Sequence, residues 1–319
     1  MEASATTRSE AASQSFTGAE FCTYRVGGPI DMAFQPGNNT EAIHVLRHAA
    51  DKGQAVTVLG WGGNTIVASK GIRGITLITR RMTWINPTDN KGFEFAAGVH
   101  LAKVSAVCLE AGLSGAEFMI GIPGTVGGAI RMNAGALKQE MADVVSEALV
   151  YNFETHQPEI WDKHKLDFRY RKSAIHSEKH IVLAAKMQFL PGDPVEIKSK
   201  MDGSVNFRKT HHPTEPNGGS VFANPSPEQP VGMLLDKLGA RTEGKLWSEG
   251  GVSISPKHCN FIINTGNGTS TDILKLMWRM KASIKQHYNL DVYPENKFVG
   301  DATDKEKALW KALREPIKP

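Results

Sequence analysis

Two glycine clusters carry the first chemistry legible in this chain. One is Leu59-Gly60-Trp61-Gly62-Gly63-Asn64-Thr65, directly after an apolar run of strand type; the other is Gly121-Ile122-Pro123-Gly124-Thr125-Val126-Gly127-Gly128. Glycine allows positive φ and lets backbone N–H groups come close to an anion, so such loops can cradle phosphate. For either cluster alone, a tight turn is the competing reading. Neither has the Gly-x-Gly-x-x-Gly spacing of a Rossmann turn, and neither ends in the Gly-Lys-Ser/Thr of a P-loop. Two such loops in one chain, each following the end of a strand or helix, suit a ligand of dinucleotide size.

Polar residues able to act on such a ligand lie further along. The stretches are Tyr170-Arg171-Lys172-Ser173, Gly219-Ser220-Val221-Phe222-Ala223-Asn224-Pro225 and Pro294-Glu295-Asn296-Lys297-Phe298-Val299-Gly300. Taken alone, Arg171 is equally a surface ion-pair partner, Ser220 a turn residue and Glu295 a loop carboxylate. Arg208, Asn224 and Arg241 carry guanidinium or amide groups suited to diphosphate, uracil or carboxylate. His211-His212 reads equally as a solvated turn. Cys22, Cys108 and Cys259 are far apart and form no CxxC pair, so no metal site or disulfide framework is expected.

The elements that must position these residues alternate at first. A helix opens at Thr40-Glu41 and stops at Gly53; strand-type runs follow at 55–60, 75–78 and 93–98. Leu101, Val104, Cys108 and Ala111 mark the apolar face of a helix ending at Gly112, and further strands fall at 147–153 and 181–189. The second part is more helical, around 195–209, 229–238 and 271–289. In the last of these Ile273, Leu276, Met277, Met280 and Ile284 form a core stripe. A short amphipathic helix follows at DKEKALWKAL. This mixture predicts an α+β protein. The 319 residues suffice for two or three compact units. The net charge of +4 suits anionic small molecules and is too small to argue for nucleic acid. No apolar run reaches membrane-span length, and MEASATTRSEAASQSF has no signal-type hydrophobic block. The expected setting is therefore cytoplasmic, without nucleic-acid partners or membrane insertion, as a monomer or weak oligomer.

The segment Thr23-Tyr24-Arg25-Val26-Gly27-Gly28-Pro29, both glycine loops, Asn133-Ala134-Gly135-Ala136 and the three polar stretches resemble the UDP-N-acetylenolpyruvoylglucosamine reductase family, in its order and over roughly residues 20 to 300. The resemblance implies a two-part FAD-binding region of the p-cresol methylhydroxylase type plus a C-terminal α+β substrate-binding domain. The implied division is a disordered lead-in at 1–19, FAD-binding subdomains at 20–88 and 89–193, and a substrate-binding domain at 194–319. FAD would be non-covalent, since the first glycine loop has no Cys or His. Cofactor contacts are implied at Gly60, Trp61, Gly62, Gly63, Asn64, Thr65, Gly98, Gly121, Ile122, Pro123, Gly124, Thr125, Gly127, Gly128, Asn133, Gly135 and Val182.

The catalytic residues implied are Arg171, Ser220 and Glu295, with NADPH as hydride donor and a UDP-sugar as substrate. Reducing an enolpyruvyl ether needs a hydride at one alkene carbon, which no side chain supplies, and a proton at the other. A cation or donor must meet the charge gathering on the carboxylate, which suits Arg171 and a protonated Glu295; the Ser220 hydroxyl suits the proton. The short segment between Arg171 and Ser220 is similar to the family's smaller subclass, which lacks a substrate-covering insertion. Lys257-His258-Cys259-Asn260-Phe261 resembles a mostly structural family element. TEGKLWSE between Arg241 and Gly250-Gly251 is longer than the family pattern and leaves the basic contact near Arg241 open. Two other readings are a flavin oxidase using oxygen and a nucleotide-sugar-binding protein with a degenerate flavin site.

Overall fold

The computed structural model describes residues 15–88, 91–176, 179–242 and 244–317. Near the N-terminus a four-stranded sheet runs in the order Phe16–Thr17, Pro29–Phe34, Ile72–Ile78, Val56–Leu59. The last three strands are parallel and the first is antiparallel. Parallel neighbours need a crossover, and helix Asn39–Asp51 supplies it. Asn38 caps that helix by accepting from Glu41 N, and Gly53 leaves it at φ +60°.

The second sheet is wholly antiparallel, in the order Gln157–Asp162, Val145–Asn152, His180–Gln188, Gly92–Ala96, Ile85–Thr88. Helix Leu101–Glu110, the 3₁₀ turn Glu117–Gly121 and helix Val126–Met132 belong to its core, where Phe95, Val104, Phe118, Ile130 and Leu183 have no exposed surface. Ala111, expected on the buried face of the first helix, is its exposed C-cap, because the chain leaves at Gly112 with φ +63°.

A third sheet orders Asn217–Ser220, Phe261–Asn264, Val252–Ile254 and Ser248–Glu249, with helices Val231–Lys237 and Ser270–Tyr288 beside it. Ile273, Leu276, Met277, Met280 and Ile284 are all fully buried, as their spacing predicts. They share one core with Tyr24, Ile66 and Ile72 of the N-terminal unit, so the first and last parts of the chain are packed as one body. Strand Lys297–Val299 makes this explicit by pairing in parallel with Thr65–Val67, just past the first glycine loop. The final helix, Asp304–Arg314, packs on Ser270–Tyr288. Its buried Glu306 accepts from Ser69 Oγ at 2.5 Å, and the buried Lys281 Nζ donates to Leu313 O at 2.9 Å and Glu315 O at 2.8 Å.

The α+β class stands. The expected lead-in at 1–19 is shorter than read: residues 1–14 lie outside the described residues, but Phe16–Thr17 pairs with Pro29–Ile30 and Gly18–Phe21 is helical. Helix Pro194–His211, placed with the substrate unit by the Pro-Gly-Asp-Pro punctuation, packs against Glu117–Gly121 and Leu101–Glu110. Ile197 and Met201 are its buried hydrophobic residues. The long segment after Arg241 is a small ribbon in which Arg241–Thr242 pairs with Lys245–Leu246. Among the described residues no helix is long and apolar enough to cross a membrane.

Packing around the loop that presents Ser220 generates a stability prediction. A Cβ on Gly218 would stand 2.1 Å from Tyr24 Cε2, and Tyr24 is fully buried with no room to retreat. Gly218→Ala should cost about 1–3 kcal/mol, the usual cost of overpacking, seen as a lowered midpoint in chemical denaturation; an unchanged midpoint would show that the Tyr24 ring yields.

Candidate active site

A cleft of about 350 Å³, within the size range of small-molecule sites, lies where the three sheets meet. Both glycine loops line it, with Ile181 and Val182 of the central strand, Arg171, Arg208, His212, Ser220, Glu295 and Lys297.

The glycines in the two loops have different physical reasons. In the first, Gly62 takes φ +74° and its Cβ would lie 2.1 Å from Phe21 O; a Cβ on Gly63 would lie 2.7 Å from Pro123 O. These positions are glycine so that backbone can pack on backbone. Arg80 takes up the loop's carbonyls, donating from Nη2 to Trp61 O at 2.9 Å and from Nε to Gly60 O at 3.2 Å, while its guanidinium lies 4.7 Å from the Trp61 ring. In the second loop no residue has positive φ. Gly124 has open space where a Cβ would stand, and Gly128 meets only Thr125 Oγ1 at 3.9 Å. This is a backbone floor without side chains, which a ligand can approach closely.

Three observations fit this cleft to a flavin dinucleotide. The floor at Gly124 and Gly128 leaves room for a diphosphate. Thr125 Oγ1, buried beside Gly60, has no hydrogen-bond partner among the described residues. Val58, Ala97, Leu101, Ala129, Ile175, Ile181 and Val182 give an apolar wall suited to flat rings. Arg208, half-buried in the last turn of its helix, also makes no side-chain hydrogen bond among the described residues, and burial lowers its pKa from the usual arginine range. A Cβ on Gly121 would lie 2.5 Å from Arg208 Cδ, so Gly121 makes room for that side chain rather than for a ligand.

Arg171, Ser220 and Glu295 come together on this cleft from three distant stretches. Arg171 sits in the left-handed region at φ +56°, a conformation that costs a side chain roughly 1–2 kcal/mol, and its Nη2 donates to Gly135 O at 3.1 Å. Its Nε lies 3.3 Å from Glu295 Oε1. Burial pushes the Glu295 carboxyl up from its ordinary range, with Arg171 and then Lys297 opposing. Ser220 ends strand Asn217–Ser220 after Gly219 turns at φ +75°. Its hydroxyl has no partner among the described residues, which leaves it available to a ligand. The buried Asn296 amide fixes the arrangement. It donates to Asn64 Oδ1 at 2.8 Å and to Gly218 O at 2.7 Å, and Asn64 Nδ2 donates to Glu295 O at 3.1 Å.

Gly60, Trp61, Gly62, Gly63, Asn64, Thr65, Ile122, Pro123, Gly124, Thr125, Gly127, Gly128, Gly135 and Val182 all line the cleft. Four residues singled out in the sequence, besides Gly121, are used elsewhere. Gly98 faces Thr79 O, 1.8 Å from where its Cβ would be. Asn133 is buried at φ +42°, donating to Arg169 O at 3.1 Å and accepting from Ala142 N at 3.0 Å. Asn224 accepts from Val231 N at 3.0 Å at the start of the following helix. Arg241 is consumed by Asp236 at 2.9 and 3.1 Å and by Pro256 O at 2.8 Å. Ala136 accompanies Gly135 at the rim, but Ala97, not Gly98, is the residue there that meets the cleft.

Sequence reasoning missed Arg131, His180, His212 and Lys297, all of which line the cleft. For Lys297 a signal existed: it follows Glu295 by two residues in an extended segment and so shares its face. His212 is turned inward against Phe261, ring centroids 4.9 Å apart, and not into solvent. Burial, then the neighbouring Arg208, lowers its pKa to about 4, so it is neutral at physiological pH. Among the described residues no cluster of His, Cys, Asp or Glu could hold a metal ion.

Comparison with known proteins agrees with this geometry. Residues 30–153 match the family model described as FAD binding domain, and residues 211–299 match UDP-N-acetylenolpyruvoylglucosamine reductase, C-terminal domain. The chain is 36% identical over 291 residues to the UDP-N-acetylenolpyruvoylglucosamine reductase of Synechococcus sp. (strain WH7803), covering 89% of this chain and 92% of the relative. It is 35% identical to that of Clostridium botulinum (strain Alaska E43 / Type E3), covering 89% and 91%. The crystal structure of UDP-N-acetylenolpyruvylglucosamine reductase from Thermus caldophilus superposes with a TM-score of 0.74 at 28% identity, over 89% of this chain and 98% of that one. This chain therefore belongs to the UDP-N-acetylenolpyruvoylglucosamine reductase family.

Proposed function

We propose that this protein reduces UDP-N-acetylglucosamine-enolpyruvate to UDP-N-acetylmuramate in peptidoglycan precursor synthesis, using non-covalent FAD and NADPH. The observation that carries the reading is that Ser220 and the Arg171–Glu295 pair face the same cleft as both glycine loops. A flavin oxidase or a nucleotide-sugar-binding protein would have no need of a proton donor and a carboxylate-binding cation there. We place the cofactor on the region 20–193, extended by helix Pro194–His211, and the substrate against the region that follows.

Gly124, Gly128 and Thr125 would hold the cofactor diphosphate, and the apolar wall its rings. Bound there, FAD supplies the hydride that no side chain can, drawn from NADPH, which leaves before the sugar nucleotide enters. The rest falls to the chain. Arg171 attracts the enolpyruvyl carboxylate and meets the charge that gathers on it when the alkene is reduced. Glu295, its pKa raised by burial, keeps its proton further toward neutral pH than an ordinary carboxyl and can donate a hydrogen bond to that charge. The Ser220 hydroxyl delivers the proton to the carbon that does not receive the hydride. Arg208, without a side-chain hydrogen bond among the described residues, is the cation for the substrate diphosphate.

Gly124→Val adds bulk where a Cβ meets no protein atom within 4 Å and should weaken FAD binding tenfold or more, roughly 1.4 kcal/mol, with the fold intact by circular dichroism. Unchanged affinity in a flavin-fluorescence titration would remove the diphosphate from this loop. Ser220→Ala should leave flavin reduction by NADPH near normal and slow reoxidation by the enolpyruvyl substrate by roughly 10²–10⁴, measured anaerobically by stopped flow. If it slowed only the NADPH step, Ser220 would not be the proton donor. Glu295→Gln tests the buried carboxyl. Because the folded protein holds this proton where the unfolded chain has released it, Glu295 contributes less stability as pH rises from the ordinary carboxylate range to its raised value. The stability of Glu295→Gln relative to the parent should therefore improve as pH rises above about 4, the ordinary carboxylate range; a constant difference would mean the carboxyl is not shifted.

A further inference from the structure

Lys297 stands two residues beyond Glu295 and lines the same cleft. Its backbone is fixed, since Lys297 N donates to Asn64 O at 2.9 Å and its strand pairs with Thr65–Val67. Its side chain is not: the half-buried ammonium makes no hydrogen bond or ion pair among the described residues. Buried ammonium groups elsewhere in this protein are engaged. Lys281 Nζ is held by two carbonyls, and Lys285 Nζ lies 2.8 Å from Asp291 Oδ2. Burial first, then the charge of Arg131, depresses the Lys297 pKa from its ordinary range, and Glu295 opposes this without reversing it. Arg171 and Lys297 thus line the cleft with Glu295, the one carboxylate among its described lining residues. That region carries an excess of positive charge in a partly desolvated place, where an anion gains most.

We infer that Lys297 binds the carboxylate of the enolpyruvyl group alongside Arg171, and holds the charge that accumulates on it during reduction. The inference rests on the proposed reaction. The substrate has two anionic parts, and Lys297 is placed for the carboxylate. It lies two residues from Glu295, on the face that carries the reaction, whereas Arg208 rises from helix Pro194–His211 over Gly121 at the second glycine loop. One cation is insufficient here because Arg171 is already shared with Glu295 at 3.3 Å. A second cation lets the carboxylate enter without expelling Glu295 from the site.

The test uses the FAD-loaded protein and two ligands that differ at the relevant group. UDP-N-acetylmuramate carries a carboxylate on its lactyl ether; UDP-N-acetylglucosamine has the same nucleotide and sugar without it. Binding is read by calorimetry and by perturbation of the flavin absorbance. Lys297→Met keeps length and loses charge; it should weaken UDP-N-acetylmuramate by roughly 10–100-fold, the worth of a hydrogen bond to a charged group, and leave UDP-N-acetylglucosamine within about twofold. Lys297→Arg should restore most of the loss. With the enolpyruvyl substrate, the reoxidation rate at saturation should also fall in Lys297→Met, while flavin reduction by NADPH stays near normal. Equal loss for both ligands would move Lys297 to the nucleotide-sugar body, loss for neither would leave it without a ligand, and loss confined to NADPH would assign it to the other half-reaction; each overturns the inference. If the unsubstituted protein bound neither UDP-sugar, the proposed reaction itself would fall, a failure visible before any variant is made.

Discussion

The carboxamide of Asn296 has no solvent exposure and ties the first glycine loop to the strand that carries Ser220. Its nitrogen donates to Asn64 Oδ1 in the first glycine loop and to Gly218 O in the strand that presents Ser220, and its oxygen accepts from Tyr24 OH at 3.2 Å. Asn64 in turn holds Glu295 through the backbone, and Glu295 N donates to Val221 O at 2.8 Å. A buried polar group must find partners or bear its full desolvation cost. Here the partners come from residues 24, 64 and 218, so the amide is satisfied only when three separate stretches are correctly assembled. The same requirement places the first glycine loop, Ser220 and Glu295 around one cleft.

That constraint explains how a loop-built site can be rigid. The first glycine loop is tied down from below by Arg80, from one side by Pro123 and from the other by strand Lys297–Val299. Its glycines are filled-in space. The second loop keeps open floor at Gly124 and Gly128. One loop is packed against protein and the other is left clear for a ligand, although both read alike as glycine-rich sequence. The left-handed Arg171 belongs to the same economy of positioning: a strained backbone is retained where it aims a guanidinium at Glu295 and Gly135.

Electrostatically the site is built for anions in two places. Arg208, without a side-chain hydrogen bond among the described residues, stands near the second loop, and Arg131, Arg171 and Lys297 line the cleft with Glu295. Burial acts on the two signs in opposite directions, raising the pKa of the Glu295 carboxyl and lowering that of the Lys297 ammonium, so each is shifted toward its neutral form. The neutral His212 beside Arg208 and Phe261 adds a polar edge without adding charge.

The elements were legible from local pattern. The core stripe Ile273, Leu276, Met277, Met280 and Ile284, the helix from Asn39 to Asp51 and the α+β class all follow from periodicity and caps, which are properties of neighbouring residues. Arg171, Ser220 and Glu295 stood out only through the resemblance, since nothing in Gly-Ser or Pro-Glu separates a ligand-facing side chain from a turn. What tertiary structure alone decided is where each polar side chain is used. Asn133, Asn224 and Arg241 have the right chemistry for ligands, yet each is taken up by backbone groups or by Asp236 that only the folded chain brings near. Lys297 and His212, unremarkable in sequence, are left facing the cleft because strand Lys297–Val299 pairs with a segment more than two hundred residues away and because the helix ending at His211 packs over the second loop. Hydrogen-bond partners are competed for in three dimensions, and a linear sequence does not contain the competitors' positions.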